Sequence, residues 1–314
     1  MTESAGDLRC PACDSPEWEP VFRSSNACDI VRCRSCRLVY TDARTSPPPE
    51  ELYPHFDQSE SIALDGVRAS LSVFLRQRAA VVTAVKKGGR LLDYGCGNGA
   101  FAHWMSRHGF EAVGLEPFSL GAPRTAENLT LLREPLDSAA AKVGRFDVIT
   151  MWHVLEHVPR PVDLLARLRG LLAEGGVLVV SVPNFESIQS RVFKGAWFHL
   201  DPPRHLIHFE RETLEGCLAR AGLEPIDESP FLPEYGSSGW VQSVLNRVLP
   251  HTNYLYEYVK DRGALREMTK ASSALHLAAS LTLGAPVAAL SLPIEAVASR
   301  TGRSAALTFA TRAR

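Results

Sequence analysis

Between Leu91 and Ala100 the chain reads LLDYGCGNGA, and this stretch restricts the fold more than any other. A short apolar run ends at Asp93 and Tyr94, and Gly95, Gly97 and Gly99 follow at alternate positions. Glycines at that spacing let a backbone turn sharply and approach a ligand, and the helix that follows offers unpaired N–H groups to it. FEAVGLE, NLTLL, FDVITMW and GVLVVSVP are further short apolar runs, separated by helix-compatible segments. Runs that are continuously apolar suit strands buried on both faces, so the chain reads as an α/β fold around a parallel sheet. A helical stretch, SLSVFLRQRAAVVTAVKK, precedes the first of these strands.

Taken as GxGxxA, the loop also satisfies a dinucleotide fingerprint, and Glu116, at the end of the next strand, suits a ribose diol in either case. Asp93 separates the two readings. An acidic group at the strand tip repels a pyrophosphate but receives an ammonium group. A nucleoside that carries an amino acid in place of phosphates meets that electrostatics, and S-adenosylmethionine is such a ligand.

LLDYGCGNGAF followed by AVGLEP resembles the first two motifs of class I S-adenosylmethionine-dependent methyltransferases. FDVITMWHVLEHVPRPVDLLARLRGLLAEGGVLVVSVPN resembles their fourth and fifth strands with the intervening helix. WHVLEHV, VPNFESIQSRVFKGAWFHL and DPPRHLIHF are similar to a bacterial subgroup related to the ubiquinone-pathway O-methyltransferases and often preceded by a paired CxxC module. The resemblance covers roughly residues 88 to 230 and the terminal SAALTFATRAR, which suits an antiparallel last strand. It implies a Rossmann-like seven-stranded methyltransferase sheet with the cofactor at the carboxyl ends of its first two strands. Gly95, Gly97 and Gly99 would then lie against the methionine and sugar, Glu116 on the ribose hydroxyls and Glu134 near the adenine amine. Met151 to Val154 would line the pocket near the methyl group, with Trp152 packing either there or in the core.

His153, Glu156 and His157 form an H-x-x-E-H run where a helix is expected to begin, so His153 shares a face with either partner. In the ubiquinone-pathway relatives the first position is Glu and the three residues bind magnesium. His153 in that place weakens such a site, because hard cations prefer oxygen ligands. His153 reads as a general base that takes the acceptor's proton or as a hydrogen-bonding wall, with Glu156 and His157 structural. In the segment Trp197 to His208, His205 is a second candidate base and Arg204 is available to an anionic acceptor; the plainer reading pairs Arg204 with Asp201.

Four of the seven cysteines stand as Cys10-x-x-Cys13 and Cys33-x-x-Cys36, with 19 residues between the pairs. Each two-residue gap aims both thiolates at one ion, and two such turns complete a tetrahedral four-thiolate site, so a structural zinc ribbon is expected. Cys28 has no partner at ligand spacing and reads as filler.

Ala271 to Ile294 contains no Asp, Glu, Lys or Arg over 24 residues. Gly284, Pro286 and Pro293 speak against a transmembrane span, so a helical lid over the substrate pocket comes first, an element that touches a membrane surface second, and a span a distant third. A greasy lid hints at a lipid-linked acceptor. The chain divides into a zinc-ribbon module (1–45), a linker stiffened by Pro47 to Pro49 with N-terminal helices (46–87), a methyltransferase core (88–230 and 304–314) and a helical insertion (231–303).

The expected activity is methyl transfer to a small molecule at oxygen, nitrogen or carbon: a natural product, a sugar or a lipid-linked intermediate. The alternative is an RNA or DNA methyltransferase docking through its ribbon. Against it stand 34 Lys+Arg matched by 35 Asp+Glu, and the lack of an Asn/Asp-Pro-Pro-aromatic tetrapeptide, for which the nearest text, Val182-Pro183-Asn184-Phe185, has the wrong order. A scaffold without activity would not need the intact DYGCGNG loop with Glu116. MTESAGDLRC has no basic-then-apolar leader pattern, so the expectation is a cytoplasmic enzyme with a peripheral membrane contact through 271–294.

Overall fold

The computed structural model describes residues 8–24, 27–42, 44, 69–117, 124–229, 233–250, 252–256 and 270–314. The Pro47–Pro49 connector and most of the linker lie outside them. The N-terminal module contributes β1 (Trp18–Arg23), β2 (Asp29–Cys33) and β3 (Val39–Thr41). The helix α1 (Ala69–Val85) leads into β4 (Gly89–Tyr94), and α2 (Ala100–Ser106) leads into β5 (Phe110–Leu115). A hairpin of β6 (Arg124–Ala126) and β7 (Leu129–Leu132) is followed by α3 (Leu136–Val143) and β8 (Phe146–Trp152). Then come α4 (Pro161–Gly170), β9 (Leu172–Pro183), α5 (Ile188–Phe193) and the two-residue strand β10 (Ile207–His208). The chain closes with α6 (Arg211–Arg220), β11 (Leu223–Glu228), α7 (Pro233–Val248), α8 (Lys270–Arg300) and β12 (Ala306–Ala313).

The main sheet runs β11-β12-β9-β8-β4-β5-β7-β6. Strands β7, β5, β4, β8 and β9 are mutually parallel, and β12 enters antiparallel between β9 and β11. These seven make the expected sheet, and β6 adds a three-residue antiparallel edge to β7. From β4 the chain moves outward to β5 on one side and later to β8 on the other. That reversal opens a crevice at the carboxyl ends of these strands, where ligands bind in open α/β sheets. Alternate residues of the central strands feed two apolar layers. Leu92, Ile149 and Val180 point to one face, and Leu91, Val148 and Val179 to the other.

The small sheet is not self-contained. Its order is β1-β2-β3-β10, so a strand from the segment after β9 completes it. Cys10, Val31, Cys33, Leu38 and Tyr40 lie in one apolar cluster with Phe209, Leu214 and Cys217. Arg32 adds a two-pronged pair to Glu210, both nitrogen–oxygen distances 2.7 Å. The module is thus welded to the main domain through the segment that follows β9.

Candidate functional site

The glycine loop leaves β4 in left-handed backbone, with φ of +72° at Gly95, +56° at Gly97 and +81° at Gly99. A Cβ at Gly95 would stand 2.4 Å from Val154 Cγ2, and one at Gly99 would stand 2.7 Å from Leu131 Cδ1. These two glycines are demanded by the protein's own packing. Gly97 is different, because a Cβ there meets nothing within 4 Å. Its N–H donates to Glu116 Oε2 at 2.9 Å, which ties the loop to the end of β5. Asp93 is buried at the tip of β4 and accepts a 2.8 Å bond from the Thr150 hydroxyl. Burial pushes the Asp93 carboxyl up to about 7 against that bond and the charge of Arg78. The fold therefore brings Asp93, the glycine loop and Glu116 together at the carboxyl ends of β4 and β5, with open space beside Gly97. An acid and loop N–H groups there suit a ribose and an ammonium group. Thr150, which buttresses Asp93, has no sequence signal beyond lying on a strand, whereas Val154, which packs against Gly95, falls in the Met151 to Val154 run read as pocket lining.

Three other sequence-derived positions make contacts within the protein. Glu134 accepts from Lys142 Nζ at 2.6 Å, an ion pair between the loop after β7 and the end of α3. Met151 is wholly buried in one apolar layer. Trp152 lies in the other, edge-on to Phe101 at 5.5 Å and under the Arg78 guanidinium at 5.4 Å. Of its two readings, core packing is the one the fold realises.

His153, Glu156 and His157 do not start a helix. His153 takes φ +54°, Leu155–His157 make a single 3-10 turn, and α4 begins at Pro161. Pro159 and Pro161 account for this: proline interrupts helix interiors but fits a first turn. The tight turn still brings His153 Nδ1 to 3.3 Å from Glu156 Oε1. Glu156 is fully buried, and neither carboxylate oxygen receives a well-aligned hydrogen bond. Burial alone would raise its carboxyl, but His153 and His157 outweigh that and hold it below the usual range. His157 has the structural role expected of it, its Nδ1 lying 2.9 Å from the Arg204 carbonyl.

His205 is buried beside this group, its Nδ1 2.8 Å from the His199 carbonyl and its Nε2 3.9 Å from Glu156 Oε1. Burial, reinforced by the charge of His157, holds its imidazole well below the ordinary range, so it is neutral. Glu156, His157 and His205 each place one ligand atom within 4.8 Å of the others. Two imidazoles and one carboxylate do not fit the magnesium ion of the resemblance, which takes oxygen ligands. Arg204 donates to Asp201 Oδ1 at 2.8 Å, so the expectation of an arginine offered to an anionic acceptor gives way to the internal pair.

A contact without any sequence signal fixes this loop. The Thr41 hydroxyl, on β3, lies 2.8 Å from the His205 carbonyl and 3.0 Å from His208 Nε2. The Thr41 N–H donates to the Leu206 carbonyl, and the Leu206 N–H to the Glu156 carbonyl. From the other side α7 closes over His199: a Cβ at Gly239 would stand 2.8 Å from its Nε2.

In the N-terminal module, Cys10 and Cys36 Sγ are 3.5 Å apart and Cys13 and Cys33 Sγ 3.6 Å, all four within 4.8 Å. A zinc ion with bonds of about 2.3 Å spaces its thiolates by roughly 3.8 Å, which these positions nearly match. Cys28 is buried outside the group.

The doubly wound sheet, the glycine cradle and the acid at the end of β5 define an S-adenosylmethionine-dependent methyltransferase of class I. Residues 70–228, half of the chain, match the model of a family described as a methyltransferase domain, and the chain belongs to that family. It is 29% identical over 189 residues to a ubiquinone biosynthesis O-methyltransferase of Cereibacter sphaeroides, covering 56% of this chain and 75% of that one. A protein of the same description from Vibrio parahaemolyticus is 35% identical over 114 residues, 34% of this chain and 48% of the other. Among solved structures, the Burkholderia thailandensis 1,6-didemethyltoxoflavin-N1-methyltransferase is 18% identical with a TM-score of 0.42, covering 67% of this chain and 91% of that one.

Proposed function

We propose that the enzyme methylates a small molecule at oxygen or nitrogen. The observation that carries this reading is the enclosure of the acceptor side. Trp197, His199, Leu200 and His205 are all buried, between the four-cysteine module on one flank and α7 on the other. A polymer would need an open cleft there. Of the arginines of VRCRSCR, Arg32 is engaged internally with Glu210, and Arg34 and Arg37 share the surface charge of Glu19, which reduces what the ribbon offers to nucleic acid. The relatives' description as O-methyltransferases favours a hydroxyl acceptor.

Asp93, the loop glycines and Glu116 would hold the cofactor's ammonium and ribose. S-adenosylmethionine supplies an electrophilic methyl group on a sulfonium centre. The residues of the chain have two tasks. The first is to fix the acceptor in line and out of water, which supplies much of the acceleration. The second is to take the acceptor's proton. Glu156 beside His153 Nδ1 favours the tautomer protonated there, making Nε2 the basic nitrogen, and the carboxylate then stabilises the imidazolium. His205, neutral and tied to the His199 carbonyl, belongs to the wall of this site. In the N-terminal module, the four thiolates suit a structural zinc ion.

The test is incubation with methyl-labelled cofactor and a panel of phenols, sugars, amines, total RNA and DNA. Label in a small molecule is expected. Label confined to nucleic acid would overturn the reading.

A further inference from the structure

The helix α8 is built inside out. Its buried residues include His276, Ser280, Ser291 and Glu295, at spacings that make one stripe, and the stripe carries polar groups. Each has a partner within the protein. Glu295 Oε1 accepts from Trp240 Nε1 at 2.7 Å and Gln189 Nε2 at 2.8 Å, Ser291 bonds Ser237, the Ser280 hydroxyl donates to the His276 carbonyl, and His276 places Nδ1 2.7 Å from the Ser272 carbonyl with its ring tilted against Tyr254. The other faces are apolar and bare: Leu281 is 71% exposed, Leu290 67%, Leu275 58% and Val297 57%. A surface helix in water shows the reverse arrangement, with its apolar stripe inward. An apolar exposure this long needs a covering medium.

The charges select the medium. Between Lys270 and Arg300 the sequence holds one charged residue, Glu295, and it is buried. Cations bound the apolar run, Lys270 at its start and the exposed Arg300 and Arg303 at its end. Two copies pairing along α8 would oppose cation to cation in either direction, with no exposed acid on the helix to compensate. Anionic lipid headgroups complement both ends. A span is disfavoured, because α7 lies along α8 and would carry Gln242, Asn246, Arg247 and the Glu295 network into hydrocarbon. We propose that α8 docks the enzyme onto an anionic bilayer, lying in the interfacial plane with its leucines among the acyl chains. This does not depend on the identity of the acceptor.

The experiment is co-sedimentation of the full chain with vesicles of phosphatidylcholine alone or mixed with phosphatidylglycerol. Binding is expected to the mixed vesicles and weakly to the neutral ones. Leu281→Glu and Leu290→Glu should each reduce it about tenfold or more, with S-adenosylhomocysteine affinity unchanged as the control for folding. In a second measurement, the indole emission that Leu290→Trp adds should be quenched by brominated acyl chains. No sedimentation with either vesicle, equal binding by the glutamate variants, or an added emission that the brominated chains leave unquenched would overturn the proposal. So would a dimer in solution that the same substitutions dissociate while vesicles stay unbound.

Discussion

The hydroxyl of Thr41 reaches the backbone carbonyl of His205 at 2.8 Å across 164 residues of sequence. The four-cysteine module therefore supports a wall of the acceptor site. Thr41→Val should destabilise the chain by on the order of 1–3 kcal/mol, because the His205 carbonyl and His208 Nε2 lose their shared partner. The acceptor KM should rise while calorimetry finds S-adenosylhomocysteine binding unaltered. An unchanged KM would show that the loop keeps its place without the module.

Metal analysis should find about one zinc per chain, lost on Cys33→Ser or chelation. Because Cys10 and Cys33 share an apolar cluster with Phe209 and Leu214, loss of the metal should lower the melting temperature of the whole chain. A separate early transition of the module, with the main transition unmoved, would contradict that shared core.

Gly95→Ala and Gly97→Ala should fail in different ways. A methyl group at Gly95 collides with Val154, so that variant should lose stability outright. At Gly97 the methyl group meets only open space, and the cost to folding is the left-handed backbone alone, roughly 1–2 kcal/mol. The folded Gly97→Ala chain should nevertheless bind S-adenosylhomocysteine far more weakly, since the new group occupies the cradle. Glu116→Ala should weaken binding by on the order of 1–3 kcal/mol, with NAD silent throughout. Tight NAD binding would overturn the cofactor assignment.

Asp93 gives the cofactor site a pH dependence with a definite sign. Its carboxyl is raised to about 7, so it is mostly protonated below that value and ionised above it. A ligand ammonium group binds the ionised form. Affinity for S-adenosylhomocysteine should therefore rise as pH climbs from about 6 to about 8 and then level off. Asp93→Asn should bind weakly with no slope. A pH-independent wild type would mean that the ammonium group sits elsewhere.

His153→Ala should lower kcat by roughly 10²–10⁴ with cofactor affinity nearly unchanged. Glu156→Gln should lower it less, because it removes the carboxylate 3.3 Å from His153 Nδ1 that orients the ring. His205→Ala should chiefly raise the acceptor KM, in keeping with a neutral wall residue. Full turnover in both histidine variants across pH would leave proximity, or an acceptor that is already deprotonated, as the source of the rate.

The parallel strands, the glycine cradle, Glu116 at the end of β5 and the paired cysteines are legible because each rests on local rules. Buried strands need continuous apolar runs, a sharp strand-to-helix turn needs glycine, and a tetrahedral ion is held by ligand pairs with two residues between their members. The H-x-x-E-H run reads as a helix start because its i, i+3 spacing is shared by a 3-10 turn, and Pro159 and Pro161 are what turn it into the latter. Trp152 and Arg204 are ambiguous for another reason: residue type does not say whether a group meets a ligand or a neighbour, and the neighbours are Phe101 and Asp201.

The sequence by itself determined the class of fold, the cofactor loop and the thiolate cluster, through backbone conformation and side-chain spacing over a few residues. Tertiary structure alone decided that β10 completes the cysteine module's sheet, that Thr41 holds the acceptor loop, and that α8 turns its polar stripe inward. These depend on which surfaces meet across long stretches of chain. Long-range packing is settled by the joint fit of many faces, and no local pattern in this chain encodes it.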